Sequence, residues 1–274
     1  MKELGYVEGR DFILEERHWL GRTQKIPELA NELVAKNVDA IVAVGPESIA
    51  GARSVTDRVP IVMLFSSDPV ELGWAKSLRL PGGNVTGLTW DAGPETWAKH
   101  LELLKEALPA ARRVALLWNS SNPGADRYRR ELGNVAPRLN LALTEVAVTQ
   151  AADLEDAFGR IGKASAQALI VLTDPLTVPN RQKIMSLAMK ARLPTLVTAD
   201  FGFPDALLVY GPHIADMPKR AARYVDRILK GARASELPIE QPLKYDLILD
   251  LRVARTLALK IPPSVVLRAD RVIE

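Results

Sequence analysis

Two carboxylates stand in the same setting. Asp68 and Asp174 each follow an apolar run and each directly precede a proline, in the stretches SSDP (66–69) and LTDP (172–175). An Asp there can cap the backbone that follows, because its oxygens accept from N–H groups that a first turn leaves unpaired, and proline has no such N–H to lose. The same carboxylates could form an acid–base pair. Capping is the simpler role, and it is compatible with ligand contact.

Hydroxyls and amides surround these acids. Ser66 and Ser67 precede Asp68, and a helix starting after it would add free N–H groups and a positive dipole end, a setting for a carboxylate or phosphate. Gly45 and Ser48 stand at another strand end, at Gly45-Pro46, and Asn119 and Ser120 at a third, before Pro123. Thr89 and Trp90 close the strand that starts at Asn84. Asp200, Phe201, Phe203 and Tyr210 lie near two later strand ends. An aromatic residue in such a place is more often core than ligand contact; several together make ring stacking on a ligand plausible.

Other chemistry is poorly represented. His18, His100 and His213 have no second histidine or carboxylate at metal-ligand spacing, so surface or helix-face positions are expected for all three. There is no cysteine, hence no disulfide and no thiolate. The motifs GxSxG, GxGxxG and the P-loop are absent, and Pro81-Gly82-Gly83-Asn84 precedes a strand, which makes it a turn. No nucleophile–base pair is evident. The residues call for binding rather than catalysis, with no cofactor and no metal.

The elements that position these residues alternate. Strands are expected at 12–17, 38–44, 60–65, 84–88, 113–118, 141–148, 168–172, 195–198, 207–210 and 243–249. Helices are expected at 26–36, 47–56, 70–78, 95–108, 125–139, 154–162, 181–191, 217–229 and from 250 through Leu257, with a short last turn at Lys2 to Leu4 capped by Gly5. After Ile261-Pro262-Pro263 only a short tail is expected. Strict alternation implies an α/β fold with parallel sheets, whose ligands bind outside the carboxyl ends of the strands. One sheet would be too wide for this many strands, so two lobes facing across a cleft are expected.

Bulk composition agrees. A chain of 274 residues with 47% hydrophobic and 25% charged residues suits one large or two medium globular domains. The net charge of +3 has no basic run interleaved with aromatics behind it, so nucleic acid is a poor partner. Arg127, Arg129 and Arg130 read as a solvated helix face. No apolar run reaches the roughly 18 residues of a membrane span, and Met1 is followed directly by polar sequence, unlike a signal peptide.

Read in order, the motifs GYVEGRDF from Gly5, DPVELG from Asp68, LPGGNVTGL from Leu80, LLWN from Leu116, YVDRILKGA from Tyr224, LPIEQPLKYDLILDL from Leu237 and IPPSVVLRADRVIE from Ile261 make the chain similar to the substrate-binding proteins of bacterial ABC transporters. It resembles the branch associated with tryptophan and tyrosine. The resemblance covers essentially the whole chain and departs at Val197 to Pro204. It implies a type I periplasmic-binding fold: two Rossmann-like lobes with parallel sheets joined by a three-strand hinge, residues 1–90 plus 211–236 forming the N-terminal lobe and 91–210 plus 237–274 the C-terminal lobe. It also implies a signal sequence, a first strand and a first helix ahead of the counterpart of Gly5, so the first strand and helix of the first lobe are expected to be missing from the chain as given.

The expected function is capture of a small solute, an aromatic or other apolar amino acid, in the inter-lobe cleft and its delivery to an ABC permease. The expected site is periplasmic, or extracellular and membrane-associated. Ser66, Ser67 and nearby N–H groups would hold the carboxylate, Asp174 or Asp200 the ammonium, Asn119 and Ser120 would add hydrogen bonds, and Trp90, Phe201 or Tyr210 would cover the side chain, with Gly45, Ser48, Asp68 and Thr89 completing the set. The rival readings are an enzyme using Asp68 and Asp174 as acid and base, and a ligand-sensing module.

Overall fold

The computed structural model describes every residue except Leu20, Gly21, Ser67, Asp91, Ala92 and Pro123, and the side chain of Pro94. The chain forms two compact units, Met1–Ala92 with Ile214–Pro242 and Gly93–His213 with Leu243–Glu274. Residues 237–242 thus pack with the first unit: Leu237 and Ile239 are buried in its core, and Glu240 bridges to Leu88.

The first segment runs through helix α1 (Ile26–Ala35), strand β1 (Ile41–Val44), helix α2 (Pro46–Val55), β2 (Ile61–Ser66) and β3 (Val85–Thr89). The second contains α3 (Pro94–Ala107), β4 (Arg113–Asn119), α4 (Ala125–Val135), β5 (Ala142–Val148), α5 (Leu154–Lys163), β6 (Ala168–Val171), α6 (Arg181–Lys190), β7 (Thr195–Val197) and β8 (Leu208–Pro212). Helix α7 (Met217–Leu229) returns to the first unit. Then β9 (Tyr245–Asp250), α8 (Leu251–Thr256), α9 (Pro263–Arg268) and β10 (Arg271–Ile273) complete the second.

In the first unit the described strands pair in parallel in the order β1-β2-β3. Alternation divides β2 between two cores. Ile61 and Met63 join Ile41, Ile49 and Trp74, while Val62 and Leu64 join Leu88 and the buried stripe Met217, Ala221, Tyr224 and Ile228 of α7. That stripe recurs every three to four residues, as a helix lying on a sheet requires.

In the second unit the order is β5-β4-β6-β7-β8-β9-β10, parallel except for the antiparallel β8–β9 pair. Strand β4 is buried on both sides. Val114 and Leu116 face one core with Trp97, Leu101, Tyr128 and Leu132, and Ala115 and Leu117 face the other with Leu154, Ile161, Ile184 and Met185. Helices therefore cover both faces, as parallel sheets need. Each fully buried leucine contributes about 1.5–3 kcal/mol. Strand β8 approaches Thr198 and Ala199 so closely that a Cβ on Gly211 would lie 2.2 Å from the Thr198 carbonyl oxygen.

The structure corrects several expectations. Residues 13–19 form no strand: Phe12 makes only an isolated bridge to Glu8, and Ile13 and Leu14 are exposed. Strand β1 is shorter than 38–44 and buried on one side only, with Val42 and Val44 about half exposed. No helix follows Asp68. Its cap exists, but Gly73 at φ +68° turns the chain, and Trp74 N–H reaches back to the Pro69 carbonyl. Leu139 ends a short 3-10 turn rather than α4, because Pro137 has no N–H to continue an α-helical ladder. The expected tail forms α9, opened by Pro263, and β10 on the edge of the second sheet.

Candidate functional site

The expected site residues that are described lie at the carboxyl edges of the two sheets. In the first unit, Gly45 at φ +84° ends β1 and opens α2, whose first turn carries Pro46, Glu47 and Ser48. Proline offers no donor there, so the N–H groups of this first turn are those of Glu47 and Ser48. Glu47 is buried, which the sequence reading did not single out. Ser66 is fully buried at the end of β2, and Thr89 is buried opposite it. The Ser66 carbonyl accepts the Trp90 N–H at 2.7 Å, and the Glu240 carbonyl accepts the Thr89 N–H at 2.9 Å. Ser67 lies outside the described residues.

Asp68 behaves as a cap: its Oδ1 accepts from Val70 N–H at 2.9 Å and from Glu71 N–H at 3.3 Å. Because a turn follows Asp68 instead of a helix, no helix dipole starts there among the described residues. The dipole end at this edge belongs to α2.

In the second unit, Asp174 is the centre of a buried polar cluster. Its Oδ1 accepts from Leu176 N–H and Thr177 N–H, both at 2.8 Å. Its own N–H donates to Thr177 Oγ1, which donates to the Leu172 carbonyl. On the other side Asn122 Nδ2 stands 3.5 Å from Oδ2, and the Asn119 side chain also donates to the carboxylate. Asn119 and Asn122 are fixed in turn, accepting through their own Oδ1 atoms from Ser121 N–H and Gly124 N–H at 2.9 Å each. Burial pushes the Asp174 carboxyl above its ordinary value, against the pull of those donors. Among the described residues no cation pairs with it. Burial thus disfavours the charged form, while the surrounding donors favour it.

The other expected residues have different surroundings. Asp200 takes the Arg271 guanidinium at 2.9 Å and the Gly202 N–H at 3.3 Å. Ser120 is exposed. Phe201 is half-buried and Phe203 is core. Tyr210 is half-buried, tilted against Tyr245 at 5.6 Å and edge-on to His100 at 5.5 Å.

The histidines lie where expected, His18 and His213 on the surface and His100 on a helix face. His100 lies on a helix face but is buried, with Nε2–H donating to the Tyr210 carbonyl at 2.9 Å. Burial lowers its pKa to about 4, so it is neutral at physiological pH. His213 sits 2.5 Å from an Asp246 oxygen, a long-range pairing that local spacing could not show.

An open cavity of about 520 Å³ in the first unit lies elsewhere. Asp39, Asp57, Arg58, Asn84 and Arg233 are among its lining residues, and Pro60 and Asn84 place it at the amino ends of β2 and β3. The first unit's own candidate residues are at the opposite edge of its sheet, where parallel strands present helix N-termini and loops.

Comparisons with known proteins agree with this architecture. A crystal structure of a conserved domain protein from Vibrio cholerae superposes with TM-score 0.92 at 26% identity, covering 99% of this chain and 90% of that one. The ABC domain in complex with L-Trp from Streptococcus pneumonia superposes at 0.87 with 24% identity, covering 99% and 92%. A tyrosine-binding protein of Clostridioides difficile is 24% identical over 87% of this chain and 68% of its own length. The model of the ABC transporter substrate binding protein family matches residues 1–273. The chain belongs to the ABC transporter substrate-binding protein family.

Proposed function

We propose that this chain captures an aromatic amino acid outside the cytoplasm and delivers it to its ABC permease. The carrying observation is the buried, hydrogen-bonded carboxylate of Asp174, which no cation pairs among the described residues. An α-ammonium group would complete the ion pair and remove the burial cost that now raises the carboxyl's pKa. Asp200 is less suited, since Arg271 already occupies it.

Asn119 and Ser120 would add hydrogen bonds from the same edge. Ser66, Ser67 and the first turn of α2 with Ser48 would receive the ligand carboxylate, where the dipole favours an anion. Trp90, Phe201 or Tyr210 would cover the side chain. A relative that binds tyrosine and a structural neighbour holding L-Trp support an aromatic ligand over an aliphatic one.

A thermal-shift screen against the standard amino acids tests this. L-Tyrosine or L-tryptophan should raise the melting temperature by mass action, with smaller shifts for aliphatic residues. A shift produced only by sugars, metals or other solutes, with none from aromatic amino acids, would overturn it.

A further inference from the structure

One residue at this edge has a backbone that its side chain disfavours. Phe65 has φ +58° inside β2. A bulky L-residue in the left-handed region is a genuine outlier, at a cost of order 1–3 kcal/mol. The parallel register between β2 and β3 breaks there: Met63 opposes Gly87, and pairing resumes at Ser66 opposite Thr89. The partner strand fits the distortion. A Cβ on Gly87 would lie 2.4 Å from the Met63 carbonyl oxygen, so a glycine is needed opposite the irregularity.

The distortion has a geometric result. It directs the Ser66 carbonyl to the Trp90 N–H, and it brings the Phe65 ring edge-on to the Trp90 indole, with centroids 6.3 Å apart and planes at 89°. Both rings are half-buried. Bulges beside functional sites commonly re-aim a side chain in this way.

We propose that Phe65 is a specificity-determining residue, forming with Trp90 an L-shaped aromatic wall that recognises the ring of an aromatic amino acid. The inference rests on the proposed function. A perpendicular pair presents one face and one edge, the two surfaces against which a third ring packs favourably. Phe65 also packs against the cluster around Leu88 and Met217, so a purely structural role is the alternative to be separated.

The test compares Phe65→Asn, Phe65→Gly and Phe65→Tyr. Asparagine and glycine accept the left-handed backbone but remove the ring, and tyrosine keeps the ring. Calorimetric titrations with L-tryptophan and L-leucine give the selectivity ratio, and thermal melts report folding. Phe65→Asn and Phe65→Gly should lower the tryptophan-to-leucine affinity ratio about three- to tenfold, and Phe65→Tyr should retain it. An unchanged ratio in a folded Asn or Gly variant, in a protein whose wild type prefers tryptophan, would overturn this inference and leave the proposed function standing. A wild type that binds no aromatic amino acid would overturn both.

Discussion

Replacing Asp174 by asparagine isolates the charge at the centre of the proposed site. The substitution keeps the shape and leaves one oxygen to accept from the Leu176 and Thr177 N–H groups. It places an amide where Asn119 and Asn122 now donate. An ammonium group brought to this position would lose its counter-ion. Breaking one side of a buried ion pair costs about 3–5 kcal/mol, which is a loss of roughly 150-fold to several thousand-fold in affinity. The assay is calorimetric titration of wild type and Asp174→Asn with L-tyrosine and with 3-(4-hydroxyphenyl)propionate, which lacks the amino group. The variant should lose affinity for tyrosine by at least about a hundredfold and bind the des-amino acid about as wild type does. Equal losses for both ligands would refute an ammonium contact and point to a general disturbance of the loop. No loss for either would remove Asp174 from the site.

Three further outcomes follow from the same geometry. Affinity for an aromatic amino acid should fall as pH is lowered through the raised pKa of Asp174, because only the ionised carboxylate pairs with ammonium; titrations in buffers of different ionisation enthalpy should show proton release on binding, absent in Asp174→Asn. His100 has a folded pKa of about 4 against an ordinary 6.5. The unfolded chain therefore takes up a proton first as pH falls below 6.5, and stability should decline by about 3 kcal/mol before the folded pKa is reached; urea melts of His100→Gln should lack this slope. Gly211→Ala should destabilise the second unit by about 3 kcal/mol, since the added carbon meets the backbone of Thr198 and Ala199 rather than a movable side chain; a melt unchanged within error would contradict that close approach.

The sequence made the strand ends legible because buried runs such as those at Ala115–Leu117 and Leu169–Val171 stop at small, polar or proline residues. Those stops locate the carboxyl edges and, with them, Asp174 and Asn119. Other features depend on what a linear reading does not contain. The cap at Asp68 was visible, but Gly73 decided that a turn and not a helix follows. Phe12 and Leu14 would share one face of a strand, yet a strand also needs a hydrogen-bonding neighbour, and pairing is a tertiary property. Phe65 sits in an uninterrupted apolar run, so it reads as core; its left-handed backbone arises from the register break against β3. The buried environments of Glu47 and His100 likewise come from packing and not from neighbours in sequence.

The most direct test of the central claim is equilibrium dialysis of isotopically labelled L-tyrosine and L-tryptophan against the purified chain, with unlabelled amino acids as competitors. One saturable site per chain is predicted, displaced by the other aromatic amino acid and not by lysine or glutamate. No saturable binding of either label, or displacement by lysine and glutamate as readily as by aromatic residues, would contradict the assignment of an aromatic amino acid as the solute.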